Sequence, residues 1–383
     1  MDKIVDLIVL EEERQGREAT LIPSENFTYP EVLDALGSCL TNKYAEGYPG
    51  KRYYQGNRII DQIEQIAIER TKKLFGVEMA NVQAYSGSPA NAAILMALAN
   101  PGEKIAGLKL SAGGHLTHGH PKVTFSGHYY QSIQFDVDQE GRIDYEEVSK
   151  LIEAEKPKVL MVGSTAYPWV IDWEKFGMMA QSVGAWLVAD ISHLSGLIAG
   201  GQHPSPVPFA HVIMSTTHKM LRGPRGAVIG VTAKGLAKDG ELSKKIDRAV
   251  FPGLQGGPHI NNIAGIAIAM KKAMRPEYKE YAQKVVVNAK FLAEGLKSAG
   301  LKVWGTENHL IVVGVGEGRG REVAEALEKE GIIVNANTVP HDPAGPFKPS
   351  GIRVGTPAMT VKGWGEEEWR EVAGRIAMKI NSG

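Results

Sequence analysis

AWLVADISHLSGLIAGGQHPSPVPFAHVIMSTTHK, residues 185–219, holds two short apolar runs that each end in chemically capable side chains. AWLVAD (185–190) and HVIMST (211–216) have strand length and branched residues, and a stretch rich in glycine, proline and serine separates them. KVLMVG (158–163) lies upstream and AVIGV (227–231) downstream, with helical stretches at 88–99 and 173–183. This alternation over about 80–230 predicts an α/β architecture, a mostly parallel sheet with helices on both faces. In such sheets ligands bind outside the carboxyl ends of the strands. Asp190 with His193, Thr216 to Lys219, and Ser164 with Thr165 all follow strand ends, so the fold alone brings them to one rim.

The rest of the chain fits around that sheet. At 383 residues and 43% hydrophobic content it exceeds what one core usually organises, which predicts two domains. A helix from Asn262 to Ala273 is broken by Arg275-Pro276, which divides the chain into 1–274 and 275–383. The second part reads as α+β: a helix over 277–298, then LKVWG, HLIVVGV, a helix at 320–330, the strand IIVNAN (332–337) and a closing helix at 365–380. Nearer the start, 2–15 reads as an amphipathic helix, 41–58 as an ordered functional loop and 61–75 as a helix. Lysine plus arginine number 43 and so do aspartate plus glutamate. That balance gives no general pull toward nucleic acid or membrane and little self-repulsion, which suits an oligomer. The single cysteine, Cys39, suits a reducing compartment and reads as a small residue of the helical stretch PEVLDALGSCL. The N-terminus lacks the basic start and cleavage site of a signal peptide, and no apolar run approaches a membrane span, so a cytoplasmic location is expected.

Lys219 is the centre of the candidate site. A lysine amine at a strand end can condense with an aldehyde to form a Schiff base; the competing reading is a surface lysine. Asp190 suits a carboxylate that keeps the ring nitrogen of pyridoxal phosphate (PLP) protonated, against a helix cap or a metal ligand. His193 and His203 lack the spacing of a standard zinc site, and no metal is expected. Ser86, Gly87 and Ser88 precede the run ANAAILMALA, and hydroxyls and bare amides at a helix start make an anion site. Pro89 is read as the first helical residue. PGLQGGP (252–258) is a second glycine-dense loop able to approach a phosphate closely. Arg353 is a candidate clamp for a substrate carboxylate, because guanidinium matches carboxylate with two parallel bonds.

Longer strings then become recognisable: SENF (24–27), NKYAEGYPGKRYY (42–54), NVQAYSGS (81–88), GGHLTHG (113–119), STTHKMLRGPRGA (215–227), VFPGLQGGP (250–258) and SGIRVGTPA (350–358). In this order they closely resemble the serine hydroxymethyltransferase family, from about Leu21 to Ala358. The resemblance implies a fold-type I PLP enzyme of aminotransferase-like architecture, working as a homodimer or a pair of dimers with shared active sites. It implies conversion of serine and tetrahydrofolate to glycine and methylene-tetrahydrofolate. By position, Lys219 would hold PLP as a Schiff base, Asp190 would pair with the pyridinium, His193 would touch the phenolic oxygen and His115 would stack on the ring. Ser86, Gly87 and Ser88 would hold the phosphate, with Thr165 beside the cofactor. Ser24 and Arg353 would bind the amino-acid carboxylate. Thr216 and His218 would flank the Schiff base. Tyr44, Glu46 and Tyr54 would reach into the partner subunit's site, as would the 253–257 loop with Gly256 and Gly257, and Arg225 would support the tyrosines. Glu46 is the candidate for proton traffic, its alternative being a salt bridge with Lys43 or Lys51. The reduced pterin would lie against Leu110, Gly114, His115, Leu116, Gly345, Pro346 and Phe347.

The sequence departs from the family's usual residues at Pro89 (commonly glutamine), Thr165 (serine), Ser192 (alanine), His341 (the asparagine contacting the pterin) and Gly345 (serine). The last two touch the pterin side and not the PLP set. A threonine-type aldolase using the same Lys219 and Asp190 without a pterin is the nearest rival, and a non-catalytic scaffold is a more distant one. A nicotinamide site is disfavoured, since VVGVGEGRG (312–320) misses the G-x-G-x-x-G spacing.

Overall fold

The computed structural model describes residues 2–121 and 123–382. Its largest sheet has seven strands: β1 (Met79–Asn81), β2 (Lys104–Leu108), β3 (Gln131–Phe135), β4 (Val159–Gly163), β5 (Trp186–Asp190), β6 (Val212–Thr216) and β7 (Ala227–Val231), in the order β1-β7-β6-β5-β4-β2-β3. Strands β3, β2, β4, β5 and β6 are mutually parallel, and only β7 runs against its neighbours. The expected mainly parallel sheet is present. Strands β4, β5, β6 and β7 are buried at every position because both faces are covered. Leu160, Val162, Leu187 and Ile213 fall in one hydrophobic cluster. Val159, Met161, Val188 and Met214 fall in the other, as the two-residue period of a strand requires.

Register aligns the strand ends. Gly163 pairs with Asp190, and Asp190 pairs with Met214, so the segments after β4, β5 and β6 leave the sheet side by side. At Gly163 the approach is so close that a Cβ would lie 2.1 Å from Asp190 O; no larger residue fits there.

A second sheet of four antiparallel strands follows: β8 (Val303–Trp304), β9 (Leu310–Gly314), β10 (Asn335–Asn337) and β11 (Gly351–Gly355), in the order β8-β9-β11-β10. Its core includes Ile311, Val313 and Val354, and is completed by Leu292 and Leu296 of the helix Pro276–Ser298 and by Trp369 and Ile376 of the helix Glu366–Asn381. Leu21 joins this core, and Ala19–Thr20 pairs in parallel with Ile332–Ile333.

Three local expectations are corrected. IIVNAN is not one strand: Ile332–Ile333 pairs with the N-terminal segment and Asn335–Asn337 with β11, so the run breaks at Val334 to serve two partners. The helix at 30 ends at Leu36, and Cys39 opens a separate single turn, exposed; Gly37 and Ser38 interrupt the apolar run. Pro89 is the third helical residue, not the first, since the helix spans Gly87–Leu98 with Ser86 as cap. The first four helical N–H groups lack intrahelical acceptors, so a proline still removes no bond there.

Candidate active site

Lys219, Asp190, Gly87, His115, Thr165 and Thr216 line one small pocket, with Ser164, Ser192 and Met214 completing its wall. Residues 87 to 219 of the sequence thus converge at the carboxyl rim of β4, β5 and β6.

Asp190 is the best-bound member. Its Oδ2 lies 3.0 Å from His118 Nε2 and accepts from Asn91 Nδ2 at 3.0 Å, and its Oδ1 accepts from Ser192 N at 3.0 Å. Burial alone pushes the carboxyl up, but the hydrogen bond and charge of His118, helped by His115 and Ser192, hold it well below the usual carboxylate range. A buried carboxylate kept ionised by three donors is a strong partner for a protonated ring nitrogen.

Lys219 stands opposite. Asp190 forms its ion pair with His118 and not with Lys219. Burial pulls the lysine amine down to about 8; Asp190 opposes this, while Arg353 and Arg225 add to it. An amine in that range is a usable nucleophile near neutrality. The backbone around it is pinned by Asn26 Nδ2, which donates to Lys219 O at 3.3 Å and to Tyr281 Oη at 2.8 Å.

The helix Gly87–Leu98 points its start at this cavity. Ser86 caps it without a side-chain hydrogen bond, which leaves the hydroxyl and the first-turn N–H groups for a ligand. A Cβ on Gly87 would lie 2.8 Å from Thr216 Cγ2, so glycine keeps the cradle open. Ser88 is exposed and lines an outer apolar groove with Pro89, Met96 and Leu254.

Thr165 Oγ1 donates to Gly114 O at 2.7 Å, tying the rim to the loop that carries His115. His115 Nδ1 lies 2.7 Å from Thr117 Oγ1, and burial lowers its ring to about 4. Arg353 of β11 donates Nε–H to Asn335 Oδ1 at 3.0 Å and reaches Thr165 O with a terminal nitrogen; burial lowers it to about 10. The second sheet thus hands its arginine to the rim of the first. Ser24 and His218 line an adjoining cavity with Arg225. Burial, then Lys219 and Arg225, lower His218 to about 3.

Several expected residues stand apart from Lys219. Tyr44 and Tyr54 are exposed, with ring centroids 4.9 Å apart, and Tyr44 Oη donates to Glu46 Oε1 at 3.4 Å. Lys43 bonds the Tyr44 carbonyl and leaves Glu46 unpaired by lysine, so the salt-bridge alternative is not found among the described residues. Gly256 and Gly257 pack against Glu46 and Tyr44, so close that a Cβ would come within 3.2 Å and 3.3 Å of them. None of these five lines the pocket that holds Lys219.

Among the residues expected to meet the pterin, Thr338 Oγ1 donates to Ser111 O at 3.0 Å, joining the segment before His341 to the loop holding Leu110, Gly114 and Leu116. The His341 ring itself sits 2.8 Å from Val137 O, occupied by backbone rather than free. Leu116 and Phe347 are exposed, and Pro346 and Gly345 flank Phe347 on the same loop.

Two residues escaped the sequence reading. His118 shares the string GGHLTHG with His115 and binds Asp190 directly; its position three residues after His115 was the available signal. His309 is wholly buried beside His193, at 3.2 Å between ring nitrogens. Among the described residues no group of three or more His, Cys, Asp or Glu side chains is placed to hold a metal ion, and no helix is long and apolar enough to cross a membrane.

Comparison with known proteins identifies the family. The family model for serine hydroxymethyltransferase matches residues 1–376. A protein named serine hydroxymethyltransferase from Acidothermus cellulolyticus is 53% identical over 378 residues, covering 97% of this chain and 87% of its own length. One of the same name from Campylobacter hominis is 49% identical over 383 residues, covering 99% and 91%. With a match of that length running through both sheets and every element of the rim, the chain belongs to the serine hydroxymethyltransferase family.

Proposed function

We propose that this chain transfers the hydroxymethyl carbon of serine reversibly to tetrahydrofolate, giving glycine and 5,10-methylene-tetrahydrofolate, with PLP held at Lys219. The observation that carries the reading is the placement, in one pocket, of an amine lowered to about 8 and a carboxylate held ionised by three donors. The residues present fit PLP. Gly87 leaves room at a helix start, and Thr216 Oγ1 is buried without a partner at the same wall.

When bound, PLP supplies an electron sink for cleavage of the bond between Cα and the hydroxymethyl carbon. The chain does the rest. Lys219 Nζ would hold its aldehyde carbon, Asp190 would face its ring nitrogen and keep it protonated, and Ser86 with the Gly87 and Ser88 amides would hold its phosphate. His115 would cover the ring. Arg353, with Ser24, clamps the substrate carboxylate and so orients Cα. Thr216 and His218 flank Lys219 Nζ, and Glu46 handles the proton near the substrate hydroxyl. Leu110, Leu116 and the loop 345–347 receive the pterin, with His341, whose ring meets Val137 O, beside them.

The division into 1–274 and 275–383 belongs to the same proposal, with Leu21 crossing it to join the second core. So does a cytoplasmic setting, which suits an exposed lone Cys39. The homodimer does too. Tyr44, Tyr54 and Gly256 are exposed and Glu46 and Gly257 are half-buried beside them, outside the pocket that holds Lys219. The helix Lys3–Arg17 buries none of its residues within the chain and leaves Ile4, Leu7 and Ile8 exposed. A second copy related by two-fold symmetry covers both features.

The deciding assay is serine cleavage with and without tetrahydrofolate. Cleavage should depend on the pterin; a faster pterin-independent reaction would move the assignment to an aldolase. The shared site has its own test. Glu46→Gln and Lys219→Ala proteins should each be inactive, yet mixing equal amounts after subunit exchange should restore about a quarter of wild-type activity, because half the dimers carry one intact composite site. No recovery on mixing would place Glu46 in its own chain's site.

A further inference from the structure

His309 is used by no step above, yet it lies directly behind His193. It is 0% exposed and sits just before β9. Asn308 holds it there: its side chain accepts from Leu310 N at 3.0 Å and donates to Tyr167 O at 2.9 Å. His309 Nε2 lies 3.2 Å from His193 Nδ1, with the rings 22° from parallel and centroids 5.5 Å apart. Burial, then the positive charges of Lys219 and Arg353, push both imidazoles down, His309 to about 3. At neutral pH each ring therefore carries a single proton, and only one proton can lie between the two nitrogens.

Two arrangements satisfy that gap. In the first, His309 donates from Nε2, His193 accepts at Nδ1, and His193 carries its proton on Nε2. In the second, His193 donates and His309 must carry its proton on Nδ1. That nitrogen is buried with no partner. A buried N–H with no acceptor is the rarer defect in folded proteins, which selects the first arrangement.

We infer that His309 is a positioning residue that donates Nε2–H to His193 Nδ1 and so fixes His193 as the Nε2–H tautomer, a hydrogen-bond donor toward the phenolic oxygen of a cofactor on Lys219. Only the last clause rests on the proposed function. The tautomer is a property of the chain alone, and the pair links the second sheet to the rim of the first.

The test is nitrogen NMR on histidine-labelled protein without PLP, with the His193 resonances assigned by their loss in His193→Gln. Wild-type protein should show His193 protonated at Nε2 and bare at Nδ1. His309→Leu, which removes the donor at similar volume, should mix or reverse the tautomers. His309→Gln, whose amide nitrogen reaches the same place, should restore them. After addition of PLP, kcat should fall roughly tenfold in His309→Leu with serine KM nearly unchanged, and recover to within about twofold in His309→Gln, the scale of losing and regaining an orienting partner. A wild-type His193 protonated at Nδ1, or a His309→Leu protein with unaltered tautomer, overturns the inference. If His309→Leu does not fold, the wild-type tautomer still decides. A correct tautomer in a protein that binds no PLP sinks the proposed function and leaves the positioning role standing.

Discussion

Lys219→Ala should be colourless or nearly so after mixing with PLP, and should lose serine cleavage by roughly 10⁴-fold or more, the scale of deleting a covalent catalyst. The fold should survive the change. The carboxylate nearest the amine is bound by His118, Asn91 and Ser192, so removing the lysine strands no ion pair. Deleting a buried amine also relieves its own desolvation, and the melting temperature should stay within a few degrees of wild type. The same amine sets a pH dependence in the unaltered protein. Burial lowers it to about 8, and only the neutral amine attacks an aldehyde. PLP capture should therefore quicken roughly tenfold per pH unit below 8 and level off above it. An unaltered spectrum and rate in Lys219→Ala would remove the whole chemical reading. A capture rate flat from pH 6 to 9 would remove only the account of the amine.

That lysine was legible in the sequence because strands β4, β5 and β6 are continuous apolar runs, buried on both faces, and their ends are where a parallel sheet must put its ligands. Strands β2, β3 and β11 were not. KIAGL and GIRVG are diluted by glycine, and QSIQF, an edge strand, alternates polar with apolar and leaves Gln131 exposed. Their identity as strands comes from neighbours, not from local pattern. The break of IIVNAN at Val334 has the same origin, because the competing partner, Ala19–Thr20, lies more than 300 residues upstream.

The site divides along the same line. Asp190 and Lys219 follow strands in sequence, so position marked them. His118 and His309 act through contacts that span 72 and 116 residues, and neither carries a local sign of its partner. The loop carrying Tyr44, Glu46 and Tyr54 was legible as functional from its composition, but the roles of those residues came only from a long family string. None of the three lines the pocket that holds Lys219.

Asp190→Asn should be as damaging to turnover as any change that keeps the protein folded. The substitution preserves shape but not acceptor capacity. An amide offers one acceptor oxygen where the carboxylate offered two to His118, Asn91 and Ser192, and its NH₂ must then face a donor. Two buried donors meeting head-on cost about 1–3 kcal/mol, so the melting temperature should fall measurably while the fold persists. The chemical loss is larger. The charge that holds a ring nitrogen protonated is gone, and with it the electron sink on which cleavage at Cα depends. We expect kcat to fall roughly 10³-fold, the range for removing a preorganised charge beside the reacting atoms, with PLP still captured because Lys219 is intact. Losing the carboxylate also removes the one group that raises the lysine. The sign is thus fixed: the amine should become more acidic, and the pH at which PLP capture levels off should drop below 8 in Asp190→Asn. A mutant that turns over normally, or whose capture profile shifts upward, would show that Asp190 caps the end of β5 and faces no cofactor.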